Sequence, residues 1–210
     1  YALPLSYARS CCKQRRSAYK DHSVGRCKPK IDTVNMQSSN EQSAEEAIYA
    51  WLNLKGFSYE MFEHDATPTI ADALRIKGDL PRGHSKSLLL TEKDGSLTLV
   101  TLRGEIRADL KKLAKSVGAK RFSFAPEKRM IDVLKVRPGT LSTLALINDL
   151  DREIRRVVLD SPLLNEPLIW CHPLRNTASV GLSPEALTEF AKTHGPSLVT
   201  CDLEGLPDSC

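Results

Sequence analysis

Several features that define other protein classes are missing from this sequence. No apolar run in its 210 residues approaches the roughly 20 that a bilayer-spanning helix needs, which excludes a transmembrane helix and gives no reason to expect a membrane partner. The six cysteines include no C-x-x-C pair and no set with zinc-ligand spacing, so we expect neither a zinc site nor a disulfide framework. A reducing compartment is the simpler interpretation, and we predict a cytoplasmic protein.

The net charge of +4 is unevenly distributed along the chain. Eight basic residues and one acid precede position 31, so the remainder carries −3. A mildly acidic domain is not expected to present a broad basic face to duplex DNA. A local basic concentration is either a solvated helix face or a contact with the phosphates of a nucleic-acid end. Its members are Arg103, Arg107, Lys111, Lys112, Lys115, Lys120 and Arg121, with Lys128, Arg129, Lys135 and Arg137 further on.

The first 40 residues are rich in Arg, Lys, Ser and Cys and show little hydrophobic periodicity. We expect this segment to be a disordered basic tail. Three interpretations fit it: an organelle transit peptide, which would imply an organellar location; a basic arm that touches nucleic acid; or translated upstream sequence with Met36 as the true start. We expect the folded domain over residues 41–203 and a short tail over 204–210.

Turn residues and hydrophobic periodicity predict an α+β fold. Ser43 and Glu46 form an S-x-x-E capping box, so a helix is expected from Ser43 until Gly56 stops it. Strands 85–91 and 97–102 should form a hairpin, because Asp94-Gly95 between them is a strong turn signal. Other strands are predicted at 57–63, 120–124, 154–159, 168–171, 178–180 and 197–201, and other helices after Thr67-Pro68 and at 107–117, 126–134 and 183–195. Helices and hairpins alternate without βαβ regularity, which favours a mixed, largely antiparallel sheet.

Lys86 is the first candidate for chemistry. If residues 85–91 form a strand, Lys86 shares one face with Leu88 and Leu90, which places a lysine at the edge of an apolar surface. Such a lysine can bind a phosphate, bond a carbonyl oxygen or act with a lowered pKa. The structural alternative, which is the more common one, is a lysine whose aliphatic stem covers the edge of the core.

Two histidines are candidates for a general base, because imidazole titrates near neutral pH. His84 lies in a Pro/Gly-punctuated loop, and His172 is followed by a turn that could aim Asn176 and Thr177 at one point. A lone histidine is nevertheless more often a satisfied structural residue. Two further histidines at the ends of predicted elements are interpreted in that way: His64 and His194.

Two other features have weaker chemical interpretations. Pro138-Gly139 predicts a turn, roughly type II, whose bare backbone a ligand could approach closely. Cys171 is next to His172 and invites comparison with a Cys-His nucleophile. We reject that pairing, because adjacent residues on a strand point to opposite faces.

Three stretches, taken together, resemble a known family. They are GHSKSLLL with its hairpin and LRGEIRADLKKLAKSVGAKRFSFA, then VRPGTLSTLALIND, then CHPLRNTASVGLSPEALTEFAKTHG. In order and spacing they are similar to the YbaK-type, prolyl-tRNA synthetase-associated editing domains, and look most like the freestanding alanyl-tRNA(Pro) deacylases. The resemblance covers about Ser43 to Thr200 and implies a single domain with a barrel-like sheet and surrounding helices.

The resemblance implies hydrolysis of the ester that joins alanine to the terminal ribose of tRNA(Pro), after prolyl-tRNA synthetase has mischarged it. Alanine is smaller than proline, so a synthetic pocket cannot exclude it by size and a second site must hydrolyse the error. The implied partners are the acceptor end of mischarged tRNA(Pro) and prolyl-tRNA synthetase. The family implies no metal, no cofactor and no covalent enzyme intermediate, and we expect a monomer or weak dimer.

Site residues are carried over from the resemblance one by one. Lys86 matches the family's functional lysine, Gly139 the glycine of a turn whose backbone helps to place water or substrate, and His172 the pocket histidine. By the same resemblance Ile70 and Ala73 would bound the alanine pocket. The full set of residues that we expect to bind substrate is Ile70, Ala73, His84, Ser87, Pro138, Ser142, Asn176 and Thr177.

Two positions depart from the family pattern. Ser87 stands where Asn is usual after the lysine, and Lys135 stands where Gly usually precedes Val136. These departures keep two alternatives open. The first is a deacylase for cysteinyl-tRNA(Pro) or another small mischarged amino acid, which pocket volume would discriminate. The second is a catalytically inactive module that binds tRNA or synthetase and has lost activity through Ser87.

Overall fold

The helices and strands follow the sequence patterns closely in the computed structural model, which describes residues 36–65 and 83–204. The helices in these ranges are α1 (Met36–Leu54), α2 (Leu110–Ser116), α3 (Glu127–Leu134) and α4 (Pro184–His194), with 3₁₀ helices at Thr143–Asn148 and Ser161–Asn165. The strands are β1 (Tyr59–Glu63), β2 (Ser85–Thr91), β3 (Leu97–Arg103), β4 (Ser123–Phe124), β5 (Ile154–Asp160), β6 (Ile169–Cys171), β7 (Ala178–Leu182) and β8 (Leu198–Cys201).

The strands form two sheets, which confirms the predicted α+β class. The larger has the order β4-β2-β3-β5-β8 and the smaller the order β1-β7-β6. β2 pairs antiparallel with β3 and β4, whereas β5 pairs parallel with β3 and β8. The smaller sheet is antiparallel throughout.

The expected barrel-like closure is wrong for the described strands. The two sheets meet at one isolated bridge, between His84 and Trp170. A barrel needs a continuous hydrogen-bonded ladder around its circumference. Here the larger sheet instead ends at β4, which has only two residues, and at β8.

The β2–β3 hairpin confirms the Asp-Gly signal. Its register pairs Ser85 with Arg103 and Thr91 with Leu97. Gly95 has φ +87°, which glycine adopts without a steric penalty, and its N–H donates to the Glu92 carbonyl at 3.0 Å. Local sequence therefore determined this register.

The helix boundaries are set by capping, and one prediction fails. α4 begins after Ser183, whose hydroxyl accepts from the Ala186 N–H, as predicted. α2 starts later than expected, because Asp109 caps it by accepting from the N–H groups of Lys111 and Lys112. The predicted N-cap at Ser43 is wrong, since α1 already begins at Met36. No glycine or proline interrupts the stretch between Met36 and Leu54, so nothing stops the helix from extending toward the N-terminus.

Two apolar cores lie on opposite faces of the larger sheet. Leu89 of β2 belongs to the main core, which also holds residues of α1, α4 and the smaller sheet. The next residue, Leu90, belongs to a second core that includes Leu113 of α2. Successive side chains of a strand point to opposite faces, so a sheet that is covered on both sides needs a continuous apolar run. This accounts for Leu88–Leu90.

Two further expectations concern the helix after Thr67-Pro68 and the absence of a transmembrane helix. The predicted helix after Thr67-Pro68, with Ile70 and Ala73, lies outside the described residues. In the part of the chain that the structure does describe, no helix is long and apolar enough to cross a bilayer.

Candidate active site

Two hydroxyl groups bind the first and second motif stretches to the end of β6, where the third stretch begins at Cys171. The Ser85 hydroxyl, in the first stretch, donates to the Trp170 carbonyl at 2.8 Å. The Ser142 hydroxyl, in the second, donates to the His172 carbonyl at 2.7 Å. Ser142 is buried, with 1% of its surface exposed, so its hydroxyl needs such an acceptor. The stretches that carry the family resemblance therefore meet around the C-terminal end of β6.

Gly83 makes the approach of β2 to β6 possible. Its carbonyl accepts from the Trp170 N–H at 2.9 Å, and its φ is +98°. A Cβ atom at this position would lie 1.9 Å from the Leu168 carbonyl oxygen. Any other residue would push the two segments apart, and with them the Ser85–Trp170 contact.

Lys86 lies where its strand position predicted. It alternates with Ser87 and so shares a face with Leu88 and Leu90, at the edge of the second core. Its Nζ donates to the Gly104 carbonyl at 3.0 Å, while the Gly104 N–H donates to the His84 carbonyl at 2.8 Å. The open end of the hairpin thus orients the ammonium group.

Ser87 lies on the other face of β2, toward the main core. Its hydroxyl is 2.7 Å from the Thr101 hydroxyl, which is 2.7 Å from that of Thr143. Thr101 and Thr143 are fully buried, so these hydroxyls satisfy one another. The side chain that replaces the usual Asn therefore connects β2, β3 and the segment after Ser142, and it does not share a face with Lys86.

His172 is a neutral imidazole held in one orientation. Its Nδ1 is 2.8 Å from the Ala178 carbonyl, which can only accept, so Nδ1 carries the proton and Nε2 is the acceptor. Burial lowers the pKa of His172, and this outweighs the opposing effect of the Ala178 hydrogen bond. A neutral histidine with an unprotonated Nε2 is suited to accept a hydrogen bond or a proton.

His64 lies beside His172, which the sequence did not indicate. The two ring centroids are 6.1 Å apart, and His64 Nε2 is 3.2 Å from the Ser179 hydroxyl. The proximity of His64 also lowers the pKa of His172. His64 follows β1, and only the pairing of β1 with β7 brings it to this place. No local sequence signal encodes that pairing.

The turn after β6 is held by Arg175, another residue that the sequence motifs did not identify. Its guanidinium bonds Glu45 of α1 at 2.9 Å, Glu63 of β1 at 3.0 Å and the Thr177 hydroxyl at 2.8 Å. Asn176 and Thr177 are both half-buried. Arg175 thus ties this turn to α1 and β1, while the convergence of Asn176 and Thr177 on one point stays a prediction.

The Pro138-Gly139 turn is exposed. Gly139 has φ +90°, which the third position of a type II turn requires, and the Thr140 N–H donates to the Arg137 carbonyl at 3.1 Å. Lys135, at the position where the family usually has Gly, caps α3 in the left-handed conformation with φ 55°. The position thus keeps the backbone that glycine favours, although a lysine occupies it.

Two side chains are excluded from direct roles at the site, Cys171 as a nucleophile and Arg103 as a phosphate contact. Cys171 is fully buried, which raises the pKa of its thiol to about 12, so its rejection as a nucleophile is supported. Arg103 is engaged by Asp160, Asp202 and Glu204. Among the described residues, no cluster of three or more His, Cys, Asp or Glu side chains could hold a metal ion.

Comparison with known proteins identifies the family. The family described as aminoacyl-tRNA editing domain matches residues 64–190. The chain belongs to this family. The editing domain is accordingly a hydrolase of the aminoacyl ester bond of tRNA.

Individual relatives agree with this assignment. The domain is 30% identical over 164 residues to the prolyl-tRNA editing protein ProX of Acetoanaerobium sticklandii, covering 78% of this chain and 99% of that one. It is 35% identical over 150 residues to the bovine (Bos taurus) prolyl-tRNA synthetase associated domain-containing protein 1, covering 68% and 86%. The crystal structure of a protein assigned as a trans-editing enzyme for prolyl-tRNA synthetase shares the fold, with TM-score 0.60 and 20% identity over 81% of this chain and 98% of that one.

Proposed function

We propose that this editing domain acts in trans on mischarged tRNA(Pro) and hydrolyses alanyl-tRNA(Pro) to alanine and tRNA(Pro). The observation that carries the proposal is the meeting of the three motif stretches through the Ser85–Trp170 and Ser142–His172 hydrogen bonds. The relatives named for prolyl-tRNA editing, and for association with prolyl-tRNA synthetase, support tRNA(Pro) as the RNA. Prolyl-tRNA synthetase is then the source of the mischarged substrate and a candidate partner.

In the proposed reaction, water attacks the ester carbonyl carbon and the ribose oxygen leaves with a proton. Lys86, whose ammonium group is oriented by the Gly104 carbonyl, would bind an oxygen of the terminal nucleotide. The Gly139 backbone would help to place water or substrate, next to Pro138. His172 would accept a hydrogen bond at Nε2, and His84, Ser142, Asn176 and Thr177 would shape the surroundings.

Ser87 is assigned a structural connection rather than a direct contact. Its hydroxyl already pairs with Thr101, on the face of β2 opposite to Lys86. The departure from Asn therefore leaves the orientation of Lys86 intact, which favours an active enzyme over an inactive binding module. Ile70 and Ala73, the proposed boundaries of the alanine pocket, lie outside the described residues, so cysteinyl-tRNA(Pro) is retained as an alternative substrate.

We also propose that a basic set contacts phosphates of the tRNA acceptor end. The residues proposed for this contact are all exposed: Arg107, Lys111, Lys115, Lys120 and Arg121. Arg103 leaves the predicted set because three carboxylates surround it, and Lys128 and Arg129 pair with Asp132 and Glu153. Phosphate contacts release counterions, so removing two of these charges should weaken the salt dependence of tRNA binding.

Deacylation of three substrates tests the proposal directly. The full chain is incubated with alanyl-, prolyl- and cysteinyl-tRNA(Pro), beside Lys86→Ala and the control Lys93→Ala. Lys93 is an exposed lysine in the turn of the same hairpin. We expect loss of alanine, retention of proline, a drop of at least about 100-fold for Lys86→Ala and no change for Lys93→Ala.

Each other result has a definite meaning. A preference for cysteinyl-tRNA(Pro) would keep the chemistry and change the substrate. Equal activity of Lys86→Ala and the wild type would remove Lys86 from the site. Absence of hydrolysis on all three substrates would refute the deacylase and leave a binding module. The cytoplasmic location and the monomeric or weakly dimeric state stay predictions.

A further inference from the structure

The turn between β6 and β7 contains a charged residue to which the proposed reaction gives no role. Arg175 lies between His172 and the pair Asn176-Thr177. Its Nε bonds both carboxylate oxygens of Glu45, at 3.1 and 2.9 Å, and its Nη2 bonds Glu63 at 3.0 Å. The third nitrogen, Nη1, donates to the Thr177 hydroxyl oxygen at 2.8 Å. One guanidinium therefore joins α1, β1 and the turn.

This arrangement is more than a solvent-exposed ion pair. The Glu45 side chain is 14% exposed and also accepts from the Tyr49 hydroxyl at 2.8 Å, so the acceptor of Arg175 is itself fixed. A planar guanidinium with several simultaneous partners loses little further freedom for each bond that it makes. A lysine ammonium, which has all its donors on one nitrogen, would not reproduce contacts made from three separate nitrogens.

The direction of these bonds determines what Thr177 can offer. A guanidinium only donates, so the Thr177 oxygen is the acceptor in the bond with Arg175. The hydroxyl proton of Thr177 is consequently available for donation to another atom. The backbone is held as well, since the His64 N–H donates to the Thr177 carbonyl at 3.0 Å.

The backbone of the turn needs such support. Leu174 has φ +70°, in the left-handed region that residues other than glycine, asparagine and aspartate rarely adopt. Its side chain is 3% exposed and packs in the main core. The turn is thus held by a buried leucine on one side and by the charged contacts of Arg175 on the other.

We propose that Arg175 is a positioning residue for the editing reaction. It fixes the 172–177 turn to α1 and β1 and leaves the Thr177 hydroxyl as a hydrogen-bond donor to an acceptor oxygen of the aminoacyl-adenosine end of the substrate. This inference rests on the proposed function, which it deepens by naming the donor and the residue that prepares it.

A double-mutant cycle on deacylation of alanyl-tRNA(Pro) tests the proposal. We expect Thr177→Val and Arg175→Met each to lower kcat/KM about tenfold, the effect of one lost hydrogen bond. If Arg175 acts through Thr177, the double variant loses no more than either single variant. Thr177→Ser keeps the hydroxyl and should retain activity. The control Glu60→Gln changes an exposed carboxylate of the same strand β1 that does not contact Arg175, and it should remain within about twofold of the wild type.

A second measurement does not depend on activity. Hydrogen exchange of the His64 amide reports whether the turn stays closed, because this N–H donates to the Thr177 carbonyl. Arg175→Met should accelerate this exchange about tenfold relative to a core amide, and the control Glu60→Gln should not.

The outcomes separate this inference from the proposed function. Unchanged exchange in Arg175→Met, or multiplicative losses of kcat/KM in the double variant, would overturn the positioning role while deacylation by the wild type stands. If the wild type deacylates no substrate, the proposed function fails and the donor role of Thr177 fails with it. Accelerated exchange would then still attribute the closed turn to Arg175.

Discussion

Two glycines with positive φ illustrate how a single residue can determine the backbone path of this fold. Gly83 and Gly95 both have positive φ, at +98° and +87°. They differ in their surroundings, because a Cβ at Gly83 would collide with the Leu168 carbonyl whereas nothing lies within 4 Å of the same position at Gly95. The pair therefore separates the cost of backbone conformation from the cost of close approach.

We predict that Gly83→Ala destabilises the protein much more than Gly95→Ala. The left-handed conformation alone should cost about 1 kcal/mol at either site. The clash at Gly83 should add roughly 2 kcal/mol or more, because backbone must move to relieve it. Urea denaturation measures both free energies of unfolding. Equal losses would show that β2 and β6 can separate freely at Gly83.

At the scale of elements, the end of β3 is joined to the C-terminal segment by one buried carboxylate. Asp160 is fully buried, and its Oδ2 accepts from the Arg103 Nε at 2.6 Å while its Oδ1 accepts from the Leu203 N–H at 3.0 Å. Asp202 and Glu204 also bind Arg103. Gly104, whose carbonyl orients Lys86, directly follows Arg103.

We predict that Asp160→Asn lowers the free energy of unfolding by about 1.5–3 kcal/mol, because hydrogen bonds to a charged group are lost while Arg103 keeps Asp202 and Glu204 as partners. The control is Glu204→Gln, because the Glu204 side chain is 65% exposed and forms a salt bridge to the same guanidinium. Its loss should cost less than about 1 kcal/mol. Thermal unfolding of both variants provides the measurement, and a small effect of Asp160→Asn would contradict this account.

For the whole molecule, pH dependence of stability follows from two histidines held neutral. Burial is the main cause that lowers the pKa of both His172 and His194, with smaller effects from His64 and Arg152. The unfolded chain titrates these groups near pH 6.5. Below that pH the unfolded state binds protons that the folded state does not, so stability falls as pH decreases toward the folded pKa values.

We therefore predict that the free energy of unfolding declines as pH is lowered from about 7 to 5. His172→Gln and His194→Gln should each flatten part of this slope. The carboxyl groups of Asp94, Asp109 and Asp132, whose pKa values are lowered by hydrogen bonds, act in a separate window below about pH 4. Urea denaturation at intervals of half a pH unit tests this, and an undiminished slope in both variants would refute it.

Elements with local signals were predictable from sequence. The hairpin around Asp94-Gly95 and the Ser183-capped helix α4 depend on contacts between residues a few positions apart. The α1 boundary was wrong because a capping box is a preference, and the stretch before Ser43 has no residue that stops a helix. The barrel-like closure that the family resemblance implied was wrong for the described strands, because the larger sheet ends at β4 and β8 and does not pair around a circumference.

The sequence by itself determined the family, the α+β class, the main strands and helices, and the candidates Lys86, Gly139 and His172. Tertiary structure alone decided which residues surround them. His64 reaches His172 through β1–β7 pairing, Arg175 reaches Glu45 across 130 positions, and Ser87 faces Thr101 rather than the side of Lys86. The physical reason is range: turns and caps are satisfied by near neighbours in the chain, whereas side chains that meet across sheets are selected by the packing of the whole fold.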